Sequence, residues 1–171
     1  MTLEIAKTLQ GNGAAHSLAA LVLFNASRDY GRDIGEAEEN IEVFAFNGPC
    51  SLSVHYLIGL GLELMLKSAY VACGGDGDDK HLTRAIGHDL TVALQMAERQ
   101  GFQSPSDHLP ELVAYMNEPY KGHFLRYKRP DRMNLPADME QVAAVFEALR
   151  NETARLRTHR SKPEYDGGSE G

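Results

Sequence analysis

Glu63 and Lys67 stand four residues apart inside Tyr56–Cys73, a stretch that is otherwise almost wholly apolar. An acid and a base in such surroundings must either pair or point at something. With Glu N-terminal to Lys at this spacing the pair is in the favourable order on a helix, worth only about 0.3–0.5 kcal/mol if exposed. Buried, it matters more, because removing one partner strands the other charge at a cost of about 3–5 kcal/mol. One reading is a clamp that ties this helix to a neighbour through His88, Arg126 or Tyr127; the other is contact with a ligand or a reacting group. Downstream, Gly87-His88-Asp89-Leu90 opens the next amphipathic segment. Asp89 is placed to cap that helix, with its charge at the positive helix end. His88 is either a packing residue or a proton-exchanging one.

Other chemistries find no footing in the residue spacing. No Glu is followed three positions later by His, the step a di-iron bundle needs. Cys50 with His55, and Cys73 with His81, lack the paired rhythm of zinc ligands. In the loop at Asp76, the Gly and Glu of a calcium loop would fall on His81 and Gly87. Gly74-Gly75-Asp76-Gly77 follows a helix and carries acid where a phosphate cradle needs bare amides and a Lys. No Gly-x-Ser-x-Gly elbow occurs. No metal and no cofactor is expected.

The formal charge of −7 argues against a generic nucleic-acid coat, yet it is unevenly spread. Residues 1–120 sum to −9, residues 121–162 to +5 and the last nine to −3. The basic stretch, with Arg126, Lys128, Arg129, Arg150, Arg155, Arg157 and Arg160, could face a polyanion. It could equally face the acidic part of this chain or of a second copy. The N-terminal Met-Thr-Leu-Glu-Ile-Ala-Lys has no long apolar core and no clear cleavage site, and only Cys50 and Cys73 are present, so a reduced cytoplasmic setting is expected. Glu63 and Lys67 near the middle of the longest apolar run argue against a membrane span.

The elements that must position these residues read as helices. Leu18, Leu21, Val22, Asn25 and Ala26 mark a first helix over 14–30, with Gly31 as its stop. A helical turn followed by a loop is expected over 31–49. Ser51 would cap a core helix over 51–73, ended by Gly74-Gly75, in which Gly59 and Gly61 imply close approach of a neighbour. Asp76, Asp78 and Asp79 crowd a short polar loop. Further helices follow over 89–100, 107–117 and 137–159, with a loop or short helix at 120–132. With 171 residues and no internal repeat, the expected fold is all-α: one antiparallel four- to five-helix bundle over 1–160 with a disordered tail, 161–171.

Tyr56 to Ala69 with Glu63 and Lys67, then Gly74-Gly75, then Gly87-His88-Asp89-Leu90, and later Leu125-Arg126-Tyr127, resembles HEPN domains of bacterial proteins over roughly 50–130. The resemblance implies an all-α bundle that often dimerises. It also implies a superfamily in which many members act on RNA in toxin–antitoxin and defence systems while others bind without cleaving. Active members carry an Arg, four to six residues, then a His, and cut RNA without metal, the His acting as acid or base and the Arg steadying the phosphate. Here Arg84 and His88 have three residues between them, as do Arg155 and His159. On a helix one missing residue turns a side chain by about 100°. The expectation is therefore a homodimeric module that binds RNA, a nucleotide or a cognate protein through Glu63, Lys67, Asp89, Arg126, Tyr127 and Lys128. The alternatives are a metal-independent ribonuclease using Arg84 and His88, with Arg126 and Lys128 on phosphates, and a purely structural interaction bundle.

Overall fold

The computed structural model describes residues 2–122 and 138–161 of the chain. Among these residues every regular element is helical: α1 (Thr2–Asp33), α2 (Ile41–Asn47), α3 (Ser51–Ala72), a short α4 (Asp79–His81), α5 (Leu90–Arg99), α6 (His108–Lys121) and α7 (Met139–Ser161). A 3₁₀ turn, Glu38–Asn40, precedes α2, and α4 runs on into a π turn, Leu82–Ile86. The all-α expectation holds, with more helices than the four or five foreseen. Arg126, Tyr127 and Lys128 lie outside the described residues, as does the expected tail from Lys162 onward.

The core helix lies where the apolar run predicts it. α3 packs against α1, α2, α5, α6 and α7, and Ile58, Leu62, Met65 and Leu66 are buried on its different sides. A helix that is apolar all round has to sit in the middle of others. Its main partner is α1, which runs antiparallel to it: Ser68 donates to the Ala6 carbonyl at 2.5 Å, and Gly13 faces Gly61 further along. A Cβ on Gly13 would lie 3.1 Å from the Gly61 carbonyl oxygen, so the two backbones touch there. Close approach at Gly61 is thus found as expected.

Several boundaries differ from the sequence reading. α1 starts twelve residues earlier than 14, and its buried residues, Ala6, Gln10, Gly13, Ala20, Phe24, Ser27 and Gly31, continue across the Gly11-Asn12-Gly13 step. Gly31 does not stop the helix; it is buried where Ile41 and Phe44 of the α2 segment press on it. Leu18 and Val22, whose spacing marks this helix, are 61% and 60% exposed, because α1 buries the opposite side. Within 31–49, expected as a helical turn followed by a loop, residues 41–47 form α2, with the Phe46 ring tilted against that of Phe24, 4.6 Å between ring centroids. Ser51 is the first residue of α3 rather than its cap, and Cys50 in the cap position offers no side-chain bond.

The acidic loop after α3 also has more structure than expected. Asp78 accepts from the backbone N–H groups of Lys80 and His81 and so starts α4. The Tyr70 hydroxyl meets His81 Nε2 at 3.0 Å and accepts from the Asp76 N–H at 3.2 Å, which anchors the loop on α3. At the same end α7 closes over α1 and α3. Gln10 donates to the Arg150 carbonyl and accepts from Arg157, while Arg160 donates to the last carbonyls of α3, Val71 at 3.3 Å and Ala72 at 3.5 Å. No single helix among the described residues is long and apolar enough to cross a membrane. The segments Glu38–Asn47 and Ser51–Ala72 reach such a length only together, across a 68° bend, and α3 is mostly buried in the bundle.

Candidate functional site

Glu63 is 4% exposed and Lys67 7%, with apolar α3 neighbours on either side. Lys67 Nζ donates to Glu63 Oε1 at 2.6 Å, the contact their spacing predicts. The other carboxylate oxygen, Oε2, accepts from the Tyr120 hydroxyl at 2.6 Å and meets His88 Nδ1 at 2.9 Å. One acid thus joins α3 to α6 and to the segment that leads into α5. Burial pushes the Glu63 carboxyl up, but the hydrogen bonds from Lys67, Tyr120 and His88 outweigh it and hold the group below its ordinary value.

Tyr120 is placed by two features. α6 runs one turn further than expected, through Pro119 to Lys121, which puts Tyr120 on the same stripe as Leu109, Val113 and Met116. Opposite it, Gly59 leaves the space for the ring: a Cβ there would fall 2.3 Å from Tyr120 Cδ2. The close approach expected at Gly59 is therefore made by an aromatic side chain. The Tyr56 ring is tilted against that of Tyr120, their centroids 6.0 Å apart.

His88 reaches Glu63 because the chain turns sharply before it. The π turn ends at Gly87, whose φ of 60° and ψ of −130° suit a residue without Cβ. The imidazole then lies edge-on to Tyr120, centroids 6.2 Å apart, with 46% of the side chain in solvent. The next residue, Asp89, caps α5 by accepting from the Val92 N–H at 3.0 Å and pairs with Lys121 at 2.6 Å. Burial raises the Asp89 carboxyl, but Lys121 and the Val92 amide outweigh that and hold it low. Asn117 completes the same helix end, its Oδ1 accepting from the Leu90 N–H at 2.8 Å. Tyr120, Asn117 and Lys121 are partners that the sequence reading did not name; the i, i+3, i+4 stripe of α6, followed one turn further, points to the first.

Arg84 sits on the π turn, exposed, and makes no hydrogen bond or ion pair with a described residue. Glu63, Lys67 and His88 are brought together, with Asp89 next to His88 in the chain; Arg84 makes no hydrogen bond or ion pair with any of them, and Arg126, Tyr127 and Lys128 fall outside the described residues. The arginines of α7 have local partners: Arg155 pairs with Glu152 at 2.6 Å, and Arg157 and Arg160 bind α1 and the end of α3. Among the described residues no three His, Cys, Asp or Glu side chains gather as a metal site. Comparison with family models, with curated proteins and with solved structures gives no match to this chain.

Proposed function

We propose that the chain is a HEPN-like helical module that binds a phosphate-bearing ligand, RNA or a nucleotide, at the His88 end of the bundle without cleaving it. A place beside toxin–antitoxin or defence functions, with a cognate partner protein, belongs to the same reading. The observation that carries it is a half-exposed imidazole tethered to a buried carboxylate. A clamp that only joined helices is complete with Lys67 and Tyr120 on Glu63. The third contact instead fixes a half-exposed imidazole at the surface, next in the chain to the Asp89–Lys121 pair. The reading without cleavage rests on Arg84, whose spacing to His88 departs from the active pattern and which makes no hydrogen bond or ion pair with the site's described residues.

The second reading, a metal-independent ribonuclease, draws support from the Nδ1 tether, which orients the ring as a general acid–base requires. Labelled single-stranded RNA in EDTA separates the two. Binding is expected to weaken with salt, to fall about tenfold in His88→Ala, as loss of one charge-assisted hydrogen bond implies, and to leave the RNA intact. Cleavage lost in His88→Ala and kept in His159→Ala would establish the ribonuclease instead. Neither binding nor cleavage would sink both readings and leave protein interaction as the role.

A further inference from the structure

Glu63 and Lys67 both belong to α3, so the bond between them joins no helix to another. Nor is it a source of stability by itself: both charges leave water, and a buried ion pair is often matched by neutral side chains of similar volume. The helices are joined by the other carboxylate oxygen, through the Tyr120 hydroxyl and His88 Nδ1. A glutamine at 63 would offer those two partners an acceptor as well, with no need of a buried lysine. What the lysine adds is selectivity. An amide can turn either its NH2 group or its oxygen to an imidazole nitrogen, and a protonated carboxyl can donate or accept, but an ionised carboxylate only accepts.

The chain around His88 is tied on both sides. The Gly87 N–H donates to the Leu82 carbonyl at 3.1 Å, the Asp89 N–H to the Ile86 carbonyl at 3.3 Å, and the Leu90 N–H to Asn117. Tyr120 lies edge-on to the imidazole and shares Oε2 with it. With the backbone held, the contact at Oε2 decides how the ring is protonated. We propose that Lys67 is a positioning residue for His88 and acts on it through Glu63. Its ammonium occupies Oε1 and Oε2 stays an acceptor, so the neutral ring keeps its proton on Nδ1. Nε2 is then the nitrogen at which His88 gains and loses a second proton. Without Lys67, burial favours the protonated carboxyl, which can donate to Nδ1 and send the ring proton to Nε2. A buried side chain on the far oxygen of Glu63 thus chooses which ring nitrogen serves as acid, base or phosphate donor. The inference rests on the reading of His88 as the group that meets the ligand.

Nitrogen NMR shifts of the His88 ring, assigned against His88→Ala and read at a pH where the imidazole is neutral, test it. The wild type is expected to show Nδ1 protonated and Nε2 unprotonated. Lys67→Arg is expected to keep that pattern, and Lys67→Met to mix or reverse it. In the double variant Glu63→Gln, Lys67→Met, neutral groups of similar volume replace the ion pair and keep the fold, and the two nitrogens are expected to share the proton. Labelled RNA gives a second readout. Lys67→Met is expected to weaken binding about threefold to tenfold in the wild-type background and not at all beside His88→Ala, since residues acting through one contact are not additive. An unprotonated Nδ1 in the wild type would overturn the proposal. So would a ring pattern unchanged in the folded double variant, or a Lys67→Met loss that persists without His88. If no RNA binds, the reading of the site as ligand-binding falls, and the ring signals still decide the role of Lys67.

Discussion

At the scale of single residues, the informative group is Glu63, which answers to three donors from three parts of the chain. Each donor is charged or directed at a charge, so each bond is stronger than one between neutral groups. Tyr120→Phe removes one of them and keeps the ring against Gly59. It is expected to cost about 1.5–3 kcal/mol in urea unfolding, the range for a hydrogen bond to a charged group. A loss below about 0.5 kcal/mol would mean that Lys67 and His88 suffice. The Glu63–Lys67 contact was legible from four-residue spacing in an apolar run, and so was the cap at Asp89. Tyr120 was not, because Pro119 argues for an earlier end to α6, a local preference that packing against α3 overrides.

At the scale of elements, the glycines of α3 show how much of the fold is written as missing side chains. Gly59→Ala would gain about 1 kcal/mol of helix propensity, but the new Cβ would lie 2.3 Å from a ring tied at 2.6 Å to Glu63. A net loss of about 1–3 kcal/mol is expected from this overpacking; a thermal midpoint at or above wild type would show that the ring can give way. The glycines also explain what sequence reading missed. Gly11-Asn12-Gly13 looks like a break, and α1 runs through it because Gly13 is the point where α1 and α3 touch. Gly11 faces open space and nothing in the fold explains it. The stripe Leu18–Val22 has the right period and the wrong side: periodicity gives a face but not its direction, and α1 has two.

At the scale of the whole molecule, charge and closure act together. Because the Glu63 carboxyl is held low, the folded state binds that proton less tightly than the unfolded chain, whose ordinary value is 4.5. The stability it contributes is complete above that value and is lost as pH falls through the lower folded one, and Asp89 acts with the same sign. Wild-type urea midpoints are therefore expected to drop steeply below about pH 4.5, and those of Glu63→Gln to drop less; parallel curves would refute the assignment. The fastening of α7 onto Gln10 of α1 and the final carbonyls of α3 has a consequence in time. Of these helices α7 is the last to be made, so a chain emerging from the ribosome carries α1 and α3 with that end open to water. Closure is then a late step of synthesis, and until it happens the apolar sides of both helices are what a chaperone would meet.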